Sequence, residues 1–314
     1  MYAGYGATDD RDEGVAMAES KYVTYGTIAD GTIARITLNR PQYRNAQNRG
    51  LLVELDEAFL RAERDDTVRV IILAGNGPAF SAGHDLGTAD MRAEREPGPD
   101  QHPTFTCNGA TGGLVESRYR QEYHYFYDNT RRWRNLRKIT IAQVHGKVLS
   151  AALMLTWCCD LIVAADNTEF ADVVGTRLGM CGVEYFGHPW EFGPRKAKEL
   201  LLTGDSIGAE EAHQLGMVSK IFTPDELADK TELFARRIAE LPTMTALTIK
   251  DSVNQSVDAM GFATALDASF SIHQLNHAHW TVESGGSSVV GTPELGLSER
   301  LVTAPIRPSN VTEA

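Results

Sequence analysis

Three groups of residues in this 314-residue chain have types and spacings that could do chemistry. The first is His84 beside Asp85 in the run PAFSAGHDLG, where an imidazole at the mouth of a glycine-bounded loop could move a proton. The second is a set of carboxylates in a glycine-rich stretch: Asp172 in FADVVG, Glu184 in LGMCGVEYFG, and Glu191 beyond it. A carboxylate enclosed by apolar side chains has its pKa raised toward the range useful for acid/base work, with Glu184 the first candidate and Asp172 the second. Each also fits a surface or helix-capping carboxylate. The third is SIHQLNHAHW, with His273, His277 and His279. His273 and His277 stand at i and i+4, so both could face one zinc ion. The glutamate of an H-E-x-x-H motif is absent and no third ligand is evident. A solvated or subunit-facing histidine cluster is therefore expected, and no metal centre.

Other chemistries find no support. Ser81 lacks the G-x-S-x-G elbow of a hydrolase nucleophile. GNGPAF (Gly75–Phe80) misses the spacing of a dinucleotide loop and places Pro78 in the turn, and no G-x-x-x-x-G-K-[ST] occurs. The segment Arg118–Arg137 interleaves aromatics with arginines, which could stack bases. At helical spacing, however, Tyr119, Tyr123, Phe126, Trp133 and Leu136 bury one face while the arginines solvate the other. A formal net charge of −12 also argues against a nucleic-acid partner.

Candidate chemistry needs elements to hold it. Thr32–Leu38 alternates as a strand and is closed by Asn39-Arg40-Pro41. Asn48 can cap a helix running to about Asp65, with Leu51, Leu52, Leu55, Ala58, Phe59 and Ala62 on one face. Val68–Leu73, Thr140–Val144 and Leu161–Ala165 are nearly continuous apolar runs, the pattern of strands covered on both faces. Strands alternating with helices give an α/β class. Met91–Glu116, with three prolines and four glycines, reads as a long loop able to cap a pocket. Residues 1–20 read as a disordered leader, 21–222 as the core, 223–280 as a helical domain and 281–314 as an arm or disordered tail. His145, at a strand end, is expected to be structural.

Composition sets the broad class. A hydrophobic fraction of 42% and a charged fraction of 23% are ordinary for a soluble globular protein. Four cysteines (Cys107, Cys158, Cys159, Cys181) are too few and too irregular for a disulfide framework, and no apolar stretch reaches membrane-spanning length. A cytoplasmic protein with no membrane partner is expected.

Four segments in order then carry a resemblance: ITLNRPQYRNAQN (Ile36–Asn48), VIILAGNGPAFSAGHDL (Val70–Leu86), IAQVHGKVLSAALMLTWCCDLIVAAD (Ile141–Asp166) and LLTGDSIGAEEAHQLGMVSKIF (Leu201–Phe222). Each resembles a signature of the crotonase superfamily, the enoyl-CoA hydratase/isomerase family. The resemblance implies a spiral of ββα units with a C-terminal helical oligomerisation domain, assembled as a homotrimer or dimer of trimers. It implies an acyl-CoA substrate, with coenzyme A present as part of that substrate and no covalent cofactor.

Such chemistry develops negative charge on the thioester oxygen, and two fixed backbone N–H groups aimed there lower the barrier by about 3–4 kcal/mol per donor. The family's pattern places these donors at His84 and Ala151, with Gly83 allowing close approach and Ser150 in a position usually held by glycine. The resemblance further implies that Arg44 lies beside the CoA phosphates and that Ala46, Ala82 and Leu86 line the groove. Asp85 would hold its loop by capping, and Val148, Ser150, Met154 and Val174 would line the acyl site. A departure accompanies the likeness. The two glutamates of a hydratase fall at Met154 and at Val174 (or Gly175), and neither position carries a carboxylate. Two-glutamate hydration is therefore not expected. Double-bond isomerisation, an atypical hydration or dehydration, or a non-catalytic acyl-CoA binder remain open.

Overall fold

A computed structural model describes residues 20–95 and 114–310. The leader and most of the predicted 91–116 loop lie outside the described residues, as does Cys107. Nine strands are present among those described: β1 (Val23–Ile28), β2 (Ile33–Leu38), β3 (Val70–Gly75), β4 (Ile139–Val144), β5 (Lys147–Leu149), β6 (Leu161–Ala165), β7 (Glu169–Ala171), β8 (Ile207–Gly208) and β9 (Lys220–Phe222). Six form one sheet in the order β1-β2-β3-β4-β6-β9, antiparallel only at β1/β2; β5, β7 and β8 form a second.

The helices, in chain order, are α1 (Arg49–Arg64), α2 (Ala89–Arg95), α3 (Leu114–Glu122), α4 (Asn129–Arg134), α5 (Ala151–Trp157), α6 (Val174–Leu178), α7 (His188–Glu191), α8 (Pro194–Thr203), α9 (Ala209–Gln214), α10 (Pro224–Ala239), α11 (Thr243–Ala259), α12 (Phe262–Glu283) and α13 (Glu299–Thr303). Tyr123–Asp128, between α3 and α4, is π-helical.

The apolar runs behave as their composition requires. Val70–Leu73 in β3 and Ile141–Val144 in β4, apart from Gln143, are fully enclosed, because parallel strands carry helices on both faces. In α1 the predicted stripe Leu51, Leu52, Leu55, Ala58, Phe59 and Ala62 is buried against this sheet. At about 25 cal/mol per Å2, each such Leu or Phe contributes roughly 1.5–3 kcal/mol of transfer free energy. The N-terminus of α1 differs from expectation. Asn48 makes no cap with its own side chain; Glu94 of α2 reaches over and accepts from the Arg49 and Gly50 N–H groups, both at 3.0 Å.

Two sequence expectations are corrected. Met91–Arg95 and Leu114–Glu116 are helical, so the predicted loop is shorter than 91–116. Tyr119 and Tyr123 are exposed, while the consecutive Tyr125, Phe126 and Tyr127 are buried. The wider π-helical turn shifts the phase of the face away from 3.6-residue periodicity. The residues after Ser284 form an arm that folds back on the core: Gly291 N–H donates to Leu178 O, Arg177 to Ala304 O, and Ser206 N–H to Arg307 O.

Candidate active site

Two turns meet at the β5 edge of the second sheet. Ser81 bridges Val148 and His84 bridges Gln47, so the loop 81–84 is held between residues 44–47 and the start of α5. Asn45 fixes the approach by donating to the carbonyls of Asn76, Ala79 and Phe80 at 2.9–3.0 Å. Gly83 has φ +88°, and a Cβ there would stand 2.7 Å from Leu149 O and 3.2 Å from Ala151 N. Only glycine brings these turns so close. Ser150 pays a conformational cost at φ 49°, ψ −116°, a region disfavoured for L-residues by roughly 1–3 kcal/mol. Its conformation starts α5 so that the Ala151 N–H faces the Gly83–His84 turn. Neither the His84 nor the Ala151 N–H donates to a protein acceptor among the described residues.

Beside this junction lies a cavity of about 430 Å3. On its wall His84 stacks on Phe126, with ring centroids 3.8 Å apart, and its Nε2 lies 3.0 Å from Glu184 Oε2. His84 Nδ1 is buried and has no partner. Burial would raise the Glu184 pKa, but the imidazoles of His84 and His273 beside it outweigh burial and hold the carboxyl below its ordinary value. An ionised carboxylate only accepts, so Nε2 carries the proton and Nδ1 presents a lone pair.

Deeper along the wall, α12 places His273 and His277 against Glu122 of α3. His277 Nε2 is 3.2 Å and His273 Nε2 3.5 Å from the Glu122 oxygens. The expected solvated or subunit-facing cluster is corrected for these two, whose rings are buried, while His279 is exposed. Burial would lower the His273 pKa, but the charge on Glu184, with Cys181 and Glu122, raises it well above the ordinary value. Glu122, despite burial, is held well below its usual range by the two histidines against it.

The structure separates the two candidate carboxylates. Glu184 lines the cavity, whereas Asp172 does not. Asp172 is buried and its oxygens are occupied: Oδ1 accepts from Val174 N–H (3.0 Å), and Oδ2 from Val183 N–H (3.1 Å) and His188 Nε2 (2.9 Å). Burial would raise its pKa, but the His188 bond and charge together with the Val174 and Val183 N–H groups outweigh desolvation and lower it. Asp172 therefore acts as a scaffold rather than an acid/base group. Glu191, which burial raises to about 7, also lies away from this cavity.

Among the remaining predicted residues, Ala82, Asp85, Leu86, Ser150 and Val174 line the cavity; Arg44, Ala46, Gly83, Val148, Ala151 and Met154 do not. Arg44 is exposed on its turn, and Val148 and Met154 are packed into the core. Asp85 is fully engaged, accepting from Gly87 N–H, Thr88 N–H and the buried Arg40 guanidinium at 3.0 Å. His145 bonds Gly77 O at 2.8 Å, as a structural strand-end residue would. Sequence reasoning missed Arg49 and the arm residues Val289 and Val290 as cavity walls. The only available signal was the i, i+4 pair on α12.

Comparison with known proteins agrees with this architecture. The family model described as enoyl-CoA hydratase/isomerase matches residues 29–288. The chain is 67% identical over 313 residues to "Putative enoyl-CoA hydratase EchA13" of Mycobacterium tuberculosis, covering 98% of both chains. It is 31% identical to the 1,2-epoxyphenylacetyl-CoA isomerase of Escherichia coli, over 75% of this chain and 83% of that one. Among solved structures, a probable enoyl-CoA hydratase from Mycobacterium smegmatis superposes with a TM-score of 0.75 at 43% identity, over 86% of this chain and 99% of that one. No described helix is long and apolar enough to cross a membrane. The chain belongs to the enoyl-CoA hydratase/isomerase family of the crotonase superfamily, whose members act on acyl-CoA thioesters.

Proposed function

We propose that the chain isomerises a double bond in an acyl-CoA, using His84 as a single proton shuttle and the His84 and Ala151 N–H groups as an oxyanion hole. The observation that carries this reading is the Glu184–His84 pair on the cavity wall, in which Nδ1 of His84 is buried and without a hydrogen-bond partner. Nδ1 takes a proton from the carbon next to the thioester carbonyl. The electron pair moves into a dienolate whose oxygen is held by the two amides. The imidazolium then returns the proton at the γ-carbon, so no atom is gained or lost. One imidazole–carboxylate unit suffices for such a 1,3-shift, whereas hydration needs a second group to activate water. The residues at the two hydratase positions, Met154 and Val174, supply none.

Glu184→Gln tests the assignment. Turnover of a 3-enoyl-CoA should fall by at least about 100-fold, as for loss of acid/base assistance, with acyl-CoA affinity unchanged. Unaltered turnover would remove Glu184 from the mechanism. A parent protein that binds acyl-CoA and turns over no thioester would make the chain a non-catalytic binder.

The family's trimer is also proposed for this chain. Ile272, Leu275 and Val282 on α12 and Met244 and Val253 on α11 are large apolar side chains left exposed in the single chain.

A further inference from the structure

We infer that Glu122, His273 and His277 form a binding site for one divalent transition-metal ion of the zinc type, on the wall of the cavity. The inference does not depend on the role assigned to His84. It begins with the imidazole tautomers. His273 Nδ1 lies 2.9 Å from Gly182 O, and His277 Nδ1 contacts Val289 O. A carbonyl oxygen only accepts, so both Nδ1 atoms carry the proton and both neutral rings present a bare lone pair at Nε2. Those two lone pairs face each other at 3.1 Å, with the Glu122 carboxylate at 3.2 and 3.5 Å. Facing lone pairs repel, so something positive must lie among them: one extra proton, or a metal ion.

Geometry and surroundings favour a metal. Zinc bonds of about 2.0–2.1 Å to imidazole nitrogen and carboxylate oxygen place neighbouring tetrahedral donors roughly 3.3 Å apart. The two Nε2 atoms are 3.1 Å apart, with Glu122 Oε1 3.2 Å from one and Oε2 3.5 Å from the other. One donor atom from each residue lies within 4.8 Å of the other two, close enough to converge on one ion. Each histidine is already oriented by an outer Nδ1–H to carbonyl bond, the arrangement that fixes metal-binding imidazoles. Gln274 does the same for the carboxylate, donating to Glu122 Oε2 at 2.8 Å. All three side chains are buried yet border the cavity, so the ion has both a dry shell and an entry path. Glu184 Oε1, 3.6 Å from His273 Nε2, adds a second negative charge beside the three donors and leaves the fourth position of the ion to water or ligand. Arg118, 3.5 Å from Glu122, offsets part of that charge from the rim.

The full-length protein, stripped with EDTA and equilibrated with Zn2+ and separately with Co2+, tests this. About one equivalent per chain by mass spectrometry is expected. The Co2+ protein should show the visible absorption of a four-coordinate ion with nitrogen and oxygen donors and no thiolate charge-transfer band. His277→Ala and Glu122→Gln should each weaken Zn2+ binding by more than about 10-fold. X-ray absorption of the unaltered Zn2+ protein, showing two imidazoles, serves where a variant misfolds. Absence of stoichiometric binding would mean that a proton alone occupies the cluster and would overturn the proposal. So would binding unchanged in both variants, or sulfur ligation through Cys158 and Cys159.

Discussion

Gly83→Ala probes the junction on which the proposed oxyanion hole depends. An added Cβ would lie 2.7 Å from Leu149 O, while ordinary contact begins at 3.4 Å, so one turn must retreat by 3.4 − 2.7 = 0.7 Å. The atoms met first are the backbone of Leu149 and Ala151, and no flexible side chain can yield instead. The φ of +88° adds a cost of roughly 1–2 kcal/mol for an L-residue. The His84 N–H precedes its own side chain by one bond, so the retreat moves it away from Ala151 N–H. Losing one such donor costs about 3–4 kcal/mol, or 10²–10³ in kcat. A displacement of this size should cost kcat about 100-fold, with KM little changed, since binding of the pantetheine and acyl chain does not need the turn. Conversion of a 3-enoyl-CoA to its conjugated isomer can be followed by ultraviolet absorbance, with thermal denaturation reporting the fold separately. A variant that unfolds at a lower temperature yet keeps the parent's kcat per folded molecule would refute the role given to these amides.

Two further perturbations follow from the same geometry. Asp172→Asn places an amide N–H2 opposite donors that now meet a carboxylate oxygen, and should cost about 2–4 kcal/mol at neutral pH. Because the folded pKa of Asp172 lies below the unfolded one, its stabilisation is present above the ordinary carboxylate value and lost as pH falls through the folded pKa. Urea denaturation should therefore show the gap between parent and variant closing in acid; a gap independent of pH would contradict the assignment. Leu275→Asp, on the exposed face of α12, should lower the mass measured by light scattering to that of one chain, and an unchanged mass would move the interface elsewhere.

Much of the scaffold was legible because it depends on local pattern. The apolar run that became β3 and the stripe of α1 are determined by burial alone, and the Gly83 turn by a residue type no other side chain replaces. Partnerships across long separations were not legible. Glu184 meets His84 100 positions away, and Glu122 meets His273 151 positions earlier in the chain. No periodicity within a helix encodes either meeting. Asp172 illustrates the converse error. Its position next to a missing glutamate suggested chemistry, but His188 and two backbone N–H groups had already consumed its lone pairs. Composition left the segment after Ser284 open between an arm and disorder; its carbonyls and amides pair with the core, and Val289 and Val290 close one side of the cavity.

The central claim is that His84 moves a proton next to a thioester whose developing charge the backbone holds. The most direct measurement is exchange of the α-proton of a saturated acyl-CoA in D2O, followed by proton NMR, because it needs no knowledge of the natural acyl group. The parent should wash deuterium into the α-position. His84→Gln, which keeps the backbone N–H and removes the base, should slow exchange by about 10²–10⁴-fold at unchanged acyl-CoA affinity. Equal exchange by parent and variant, or none by the parent, would contradict the account.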